Sequence, residues 1–409
     1  MPGDPLEHVS EQALVGLTRS LVRIPSQYID GELVQHREVA AFLAEHMASF
    51  GLEVEIAEPV KDYPVVIGTS SSKMSGEDRP IVGIIGHYST VAAGNLEEWD
   101  YDPFGAEVVG DRIYGRGAAD QKSGIAVGNI AAASLIRTKE PLRGRLRLIW
   151  VPGEGCTEIA VGPIVRDHPD SVRADYYLMT DGDRARIRNV HAGWTWLEFT
   201  ARGRGGHTGA LTADRSVPIN PVEKLLTVMM HLRNPAWMGP VERHPLFGPE
   251  YGRYSRDPIV DLTVLSAGDK VNMIPNRARG QLDIRLLPSQ SLEDLYGKLD
   301  RTLGELRQAD PDLDVSYRVI HDNDKIEGVP TDHPAVRAIH QACQEMREPI
   351  PGFGPHSGGG RTNFAKLGYV IYYGASNGKG THAPNEYTVV GELVKSGQIY
   401  TRLLTKVLT

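Results

Sequence analysis

Cysteine is scarce: the 409-residue chain holds two, Cys156 and Cys343, too few for a disulfide framework or a cysteine-based zinc finger. Any metal here would have to be held by histidines and carboxylates. Long apolar runs are missing as well. The longest uncharged stretches, Ile81 to Leu96 and Ser123 to Ile136, fall short of the roughly 20 residues that span a bilayer. The opening MPGDPLEHVSEQ lacks the basic start and apolar core of a secretory signal, so the expected location is the cytoplasm. Nor is there a basic excess: 44 Lys plus Arg against 52 Asp plus Glu leave a net charge of -8, and neither nucleic acid nor an anionic membrane is expected as a partner. Walker A loops are absent, and no G-x-G-x-x-G opens a helix after a strand, which removes nucleotide chemistry. A small molecule is the expected partner.

What is present is an ordinary globular composition, 41% hydrophobic and 23% charged, in a chain longer than one hydrophobic core usually fills. Two domains are expected. Helical spacing in ALVGLTRSLVRI and VAAFLAEHMASFG predicts two helices between Ala13 and Gly51, with Gly51 as the C-terminal cap. The runs Pro80 to Val91, Arg145 to Gly155 and Ala174 to Asp183 are short, apolar and end in polar residues. They read as buried parallel strands of an α/β sheet, mixed but largely parallel, with ligands expected at the strands' carboxyl ends.

After Val190 the pattern changes to a strand (WTWLEFTARG), a helix at Pro221 to Leu232, strands near Pro258 to Leu265 and Arg279 to Leu287, the helix SLEDLYGKLDRTLGELR and a closing strand at Asp312 to Ile320. The order β, α, β, β, α, β is that of a split βαβ, ferredoxin-like α+β domain. It is expected as an insertion over 192–322 in a catalytic domain of residues 1–191 and 323–409. A long loop is expected at Asn234 to Arg256. The helix HPAVRAIHQACQEM and the strand YVIYYG then return to the first domain.

Polar residues at or beside the predicted strand ends include His87, Asp120, Glu154, Asp181 and His382. Histidine with carboxylates and no thiolate suits zinc, manganese or cobalt at a hydrolytic site, where the ion lowers the pKa of water. Among 14 histidines and 52 acids, any one of them taken alone is more often a satisfied structural residue than a ligand.

The order of the surrounding motifs adds weight. GHYSTV, W-D-Y-D-P-F, GDRIYGRGAADQKSG, ARGRGGHTG, NMIPNRARGQLDIR and GGGRTNF followed by GKGTHAPNE resemble, in order and over nearly the whole chain, the aminoacylase and glutamate carboxypeptidase family of co-catalytic metallopeptidases, which also contains succinyl-diaminopimelate desuccinylase. The resemblance implies that His87 binds one metal, Asp120 bridges, Asp181 completes the first site and His382 belongs to the second. Glu154 would be the general acid/base, and His207 and Asn272 would serve the substrate from the inserted domain. It also implies that this domain acts as a lid and makes homo-oligomer contacts.

Two departures from the family pattern bear on the metal count. The usual H-x-D is His87-Tyr88-Ser89, and the usual paired glutamates are Gly153-Glu154-Gly155. A pocket with less negative charge holds two divalent cations poorly, so one Mn or Zn ion per chain is expected, with Ser89 on the substrate side. The chain further resembles an outlying nitroaromatic branch of the family. That resemblance implies hydrolytic deamination of an electron-poor aromatic amine, such as 5-nitroanthranilate to 5-nitrosalicylate and ammonia. The alternative is an amidohydrolase or peptidase acting on N-acyl amino acids or dipeptides.

Arg361, in GGGRTNF, could pair with a carboxylate or nitro group through its planar fork. Arg184, Arg186 and Arg188 alternate after Asp181 and are expected on one solvated face. Gly374-Ala375-Ser376-Asn377-Gly378 matches the G-x-S-x-G nucleophile elbow, but KGTHAPNEY predicts a loop where that motif needs a helix, and no acid lies between Ser376 and His382. A serine hydrolase is therefore disfavoured. So is a degenerate binding protein, because Glu154 stands beside four candidate ligands.

Overall fold

The fold is taken from a computed structural model, which describes the chain except residues 1–2, 30–31, 72–78, 155–158, 210–217, 243–256, 327, 357–359 and 376–377. The chain divides into two compact units, one of residues 1–189, 328–354 and 359–409, the other of residues 190–327 and 355–358.

The first unit opens with α1 (Glu11–Val22) and α2 (His36–Ser49), followed by β1 (Glu53–Ala57), β2 (Val65–Thr69), β3 (Ile81–His87), α3 (Lys122–Arg137), β4 (Arg145–Val151), α4 (Val161–Asp167), β5 (Tyr176–Met179) and β6 (Arg186–His191). Gly51 sits just past α2 at φ 101°, the left-handed position for which it was expected. The second unit holds β7 (Trp194–Arg202), α5 (Pro221–Arg233), β8 (Ile259–Ala267), β9 (Arg277–Arg285), α6 (Leu292–Ala309) and β10 (Asp314–Asn323). The chain returns through α7 (Pro334–Glu345), β11 (Gly352–His356), β12 (Tyr369–Tyr372) and α8 (Val390–Leu408).

One eight-stranded sheet, in the order β11-β6-β12-β5-β3-β4-β2-β1, organises the first unit. Its centre is parallel: β5 pairs with β12 and β3, and β3 pairs with β4. The β2 and β1 side and β6 add antiparallel pairs. The central strands are apolar along both faces, as a sheet covered on both sides requires, and Ile84, Leu148, Trp150 and Leu178 have no exposed surface. Each such aliphatic side chain contributes about 1.5–3 kcal/mol by leaving water.

In the second unit the strand order is β8-β9-β7-β10, all antiparallel. The buried stripe Leu292, Leu295, Leu299 and Leu303 of α6, and Leu225, Val228 and Met229 of α5, belong to its own core. Residues Pro235–Met238, inside the expected long loop, form a 3-10 helix, which Pro235 starts with its fixed φ. Residues 243–256 of that loop lie outside the described residues. No described helix is long and apolar enough to cross a membrane.

Candidate metal centre

Three neighbouring parallel strands deliver three of the site's side chains. His87 is the last residue of β3, Asp181 follows β5 closely, and Glu154 follows β4 closely. A parallel sheet places all its strand ends on one edge, where backbone groups turn away and polar side chains can converge. Asp120 arrives from the turn before α3, and His382 from the loop before the short strand Tyr387–Val389. His382 has φ 64°, a region that non-glycine residues seldom occupy and that clusters at functional sites.

The five side chains form two groups that share Asp120. His87, Asp120 and Asp181 place one ligand atom each within 4.8 Å of one another, and so do Asp120, Glu154 and His382. His87 is fully buried. Its Nδ1 lies 2.8 Å from the Ser89 carbonyl oxygen and Nε2 lies 2.9 Å from Asp120 Oδ1. With Nδ1–H donating to that carbonyl, the lone pair sits on Nε2 and faces the site. His382 Nε2 lies 3.3 Å from Asp120 Oδ2 and 3.0 Å from Glu154 Oε1. These two carboxylates push the His382 imidazole up to about 10 against the opposing cost of burial, because positive charge between two anions is favoured there.

Around this cluster the connections run between chain neighbours of the ligand candidates. Ser89 is buried and its hydroxyl donates to the Glu154 carbonyl at 3.0 Å. The Thr180 hydroxyl donates to Gln121 Oε1 at 2.6 Å, joining the residue before Asp181 to the residue after Asp120. Lys122 is fully buried and donates to the Ile24 carbonyl at 2.6 Å. Burial lowers it to about 7, opposed by the Glu386 carboxylate.

The other expected residues fall into three cases. His207 and Asn272 are neighbours in the second unit: His207 is on the strand Gly206–His207, and Asn272 immediately precedes its partner strand Met273–Ile274, with Asn272 Nδ2 3.5 Å from His207 Nε2. Arg361 lies on the 3-10 helix Gly360–Lys366, but its side chain is outside the described residues. Arg184 corrects the expectation of a solvated face: it is 8% exposed, 3.5 Å from Glu348 and paired with Glu392. Two carboxylates supplied by α8 and by the residues after α7 draw its guanidinium inward. Arg188 pairs with Asp183 at 2.9 Å.

Ser376 of the G-x-S-x-G match lies outside the described residues, and residues 378–389 carry no helix, so the structural context of an elbow is missing. Glu386, Arg116, Gln121 and Thr180 were not singled out by sequence reasoning, although Glu386 closes the GKGTHAPNE motif.

Comparison with known proteins gives a consistent picture. The sequence profile of Peptidase family M20/M25/M40 matches residues 83–406. A succinyl-diaminopimelate desuccinylase from Hydrogenovibrio crunogenus is 25% identical over 388 residues, covering 90% of this chain and 92% of the relative. In fold the chain is similar to an M20 family metallo-carboxypeptidase from Sulfolobus solfataricus, with a TM-score of 0.76 at 18% identity over 96% of this chain and 98% of the other. Human carnosine dipeptidase 1 gives a TM-score of 0.75 at 16% identity, over 100% and 99% of the two chains.

Proposed function

Because the chain belongs to Peptidase family M20/M25/M40, we propose that it is a metal-dependent hydrolase that cleaves the amide C–N bond of a small N-acyl amino acid or dipeptide. The observation that carries this reading is the pair of imidazole and carboxylate groups converging on Asp120. The residues fit a divalent ion: His87 has its Nδ1 placed against a carbonyl, leaving Nε2 for coordination, and His382 sits where two carboxylates favour a cation.

His87, Asp120 and Asp181 hold the tighter ion in this proposal. The second group, Asp120, Glu154 and His382, is complete only when Glu154 coordinates, because Gly155 stands where the family has a further carboxylate. One Mn or Zn ion per chain at ordinary concentrations follows. A bound divalent ion supplies the activation of water and the polarisation of the scissile carbonyl.

The protein's own contribution is proton handling and orientation. Glu154 accepts the proton of the attacking water at a carboxylate oxygen as the C–O bond forms, then delivers it to the amide nitrogen, so that the C–N bond breaks and the amine leaves neutral. Positive charge at His382, a proton or an ion, lies beside the carboxylate that must take that proton. His207 and Asn272 are assigned to the substrate, so His207→Ala should raise KM while the metal content stays unchanged.

The preference for amide hydrolysis over aromatic deamination rests on the relatives, a desuccinylase by sequence and peptidases by fold. Among the described residues, nothing in the site geometry favours a nitroaromatic substrate. Homo-oligomer contacts are assigned to the second unit, where β8 is an edge strand with Val264 and Leu265 partly exposed. A strictly monomeric sedimentation profile would remove that assignment. The deciding experiment offers metal-loaded protein N-succinyl and N-acetyl amino acids, dipeptides, and anthranilates with and without a nitro group. Turnover of the acylated amino acids or dipeptides is expected. Turnover of nitroanthranilate alone would overturn the proposal in favour of deamination.

A further inference from the structure

Glu386 has no exposed surface, and its carboxylate is fully engaged. Oε2 accepts from Arg116 Nη1 at 2.6 Å. Oε1 accepts from three backbone N–H groups, those of Gly117 at 3.1 Å, Ala119 at 2.9 Å and Asp120 at 3.0 Å. A carboxyl oxygen in this role replaces the regular structure that the turn lacks. Gly115 and Gly117 stand at φ 151° and 88°, and α3 begins only at Lys122.

The turn is also held from behind. The Gly115 N–H donates to the Glu386 carbonyl at 2.8 Å, and the Arg116 guanidinium lies 5.2 Å from the centre of the Trp99 ring. The residue at the end of this turn is Asp120, the one side chain common to both donor groups. Glu386 is also on the loop that carries His382, four positions further along. One buried carboxylate thus ties the backbone presenting the shared ligand to the backbone presenting the second histidine.

We propose that Glu386 is a positioning residue whose buried carboxylate fixes the Gly117 to Asp120 turn, and through it the orientation of the Asp120 carboxylate toward a bound metal ion. The inference rests on the metallohydrolase reading above. Outer partners of metal ligands typically contribute 10–100-fold to metal affinity or activity. A role limited to folding would instead act equally whether or not Asp120 can bind an ion, and the test separates the two.

Mn²⁺ alone is titrated calorimetrically into metal-stripped wild type, Glu386→Gln, Asp120→Asn and the double variant. Circular dichroism and denaturant unfolding are recorded on the metal-free forms. Glu386→Gln should weaken Mn²⁺ binding by about 10–100-fold in the wild-type background and change it little in the Asp120→Asn background, because the ligand it orients is already lost. Glu386→Asp keeps the charge but falls short of the turn, and should give a folded protein with an intermediate loss. It carries the test if Glu386→Gln does not fold. Unchanged Mn²⁺ affinity in a folded Glu386 variant, or the same fold-loss with and without Asp120, would overturn this inference alone. Wild-type protein that takes up no Mn²⁺ would overturn the metallohydrolase reading and this inference with it.

Discussion

At Glu154 two roles compete for one carboxylate. Its Oε1 lies 3.0 Å from His382 Nε2 and it belongs to the second donor group, so it can serve as a ligand or as the proton carrier. Glu154→Gln keeps the shape and removes the base. If Glu154 carries the proton, turnover should fall about 10²–10⁴-fold with metal content unchanged, as read by elemental analysis beside steady-state rates. A parallel fall in bound metal would make it a ligand instead, and near-normal rates with normal metal would refute both roles. The candidacy of Glu154 was legible in the sequence because GEG follows an apolar strand-like run. Its closeness to His382 was not, since the two are separated by most of the chain.

At the scale of elements, the approach of α3 to the end of β5 sets the site. A Cβ at Gly124 would stand 2.8 Å from the Thr180 carbonyl oxygen and 2.9 Å from its hydroxyl, and Thr180 is the residue between β5 and Asp181. Gly86 is equally tight, with Gln121 Oε1 and Thr180 Oγ1 both 2.8 Å from such an atom. Alanine at Gly124 would gain about 1 kcal/mol of helix propensity, but overpacking against a backbone atom costs about 1–3 kcal/mol, so the clash wins. Gly124→Ala should therefore lower the denaturant midpoint of the metal-free protein and weaken Mn²⁺ binding as Thr180 and Gln121 shift. A raised midpoint with full affinity would show that the contact yields freely. In the sequence, Ser123 to Ile136 was legible only as an uncharged apolar stretch, and the need for glycine on one face of the helix it forms depends on which strand lies beneath.

For the whole molecule, the donor atoms gather at one edge of the first unit's sheet, on a core that is already buried without an ion. Chelation should abolish turnover and leave the far-ultraviolet circular dichroism intact. Return of Mn²⁺ or Zn²⁺ at about 100 times Kd should restore activity and add about 2.7 kcal/mol of stability by mass action. Activity that survives exhaustive chelation would rule out metal dependence. Near one ion per chain is expected in active protein; two held at full occupancy would show that Glu154 coordinates and that Gly155 leaves the second position intact.

The sequence by itself determined the mixed, largely parallel sheet, the βαββαβ order of the second unit and the strand-end setting of His87, Asp181 and Glu154. Apolar periodicity and turn chemistry are properties of neighbouring residues, so a linear reading contains them. The resemblance to family motifs supplied the roles expected of Asp120, as a bridging ligand, and of His382. Only the tertiary structure decided that Arg184 turns inward to Glu348 and Glu392, and that Glu386 holds a turn 266 to 270 positions away. Those facts depend on which loops meet when the sheet closes. A buried carboxylate must find donors wherever the fold brings them, and the order of residues along the chain does not encode that meeting.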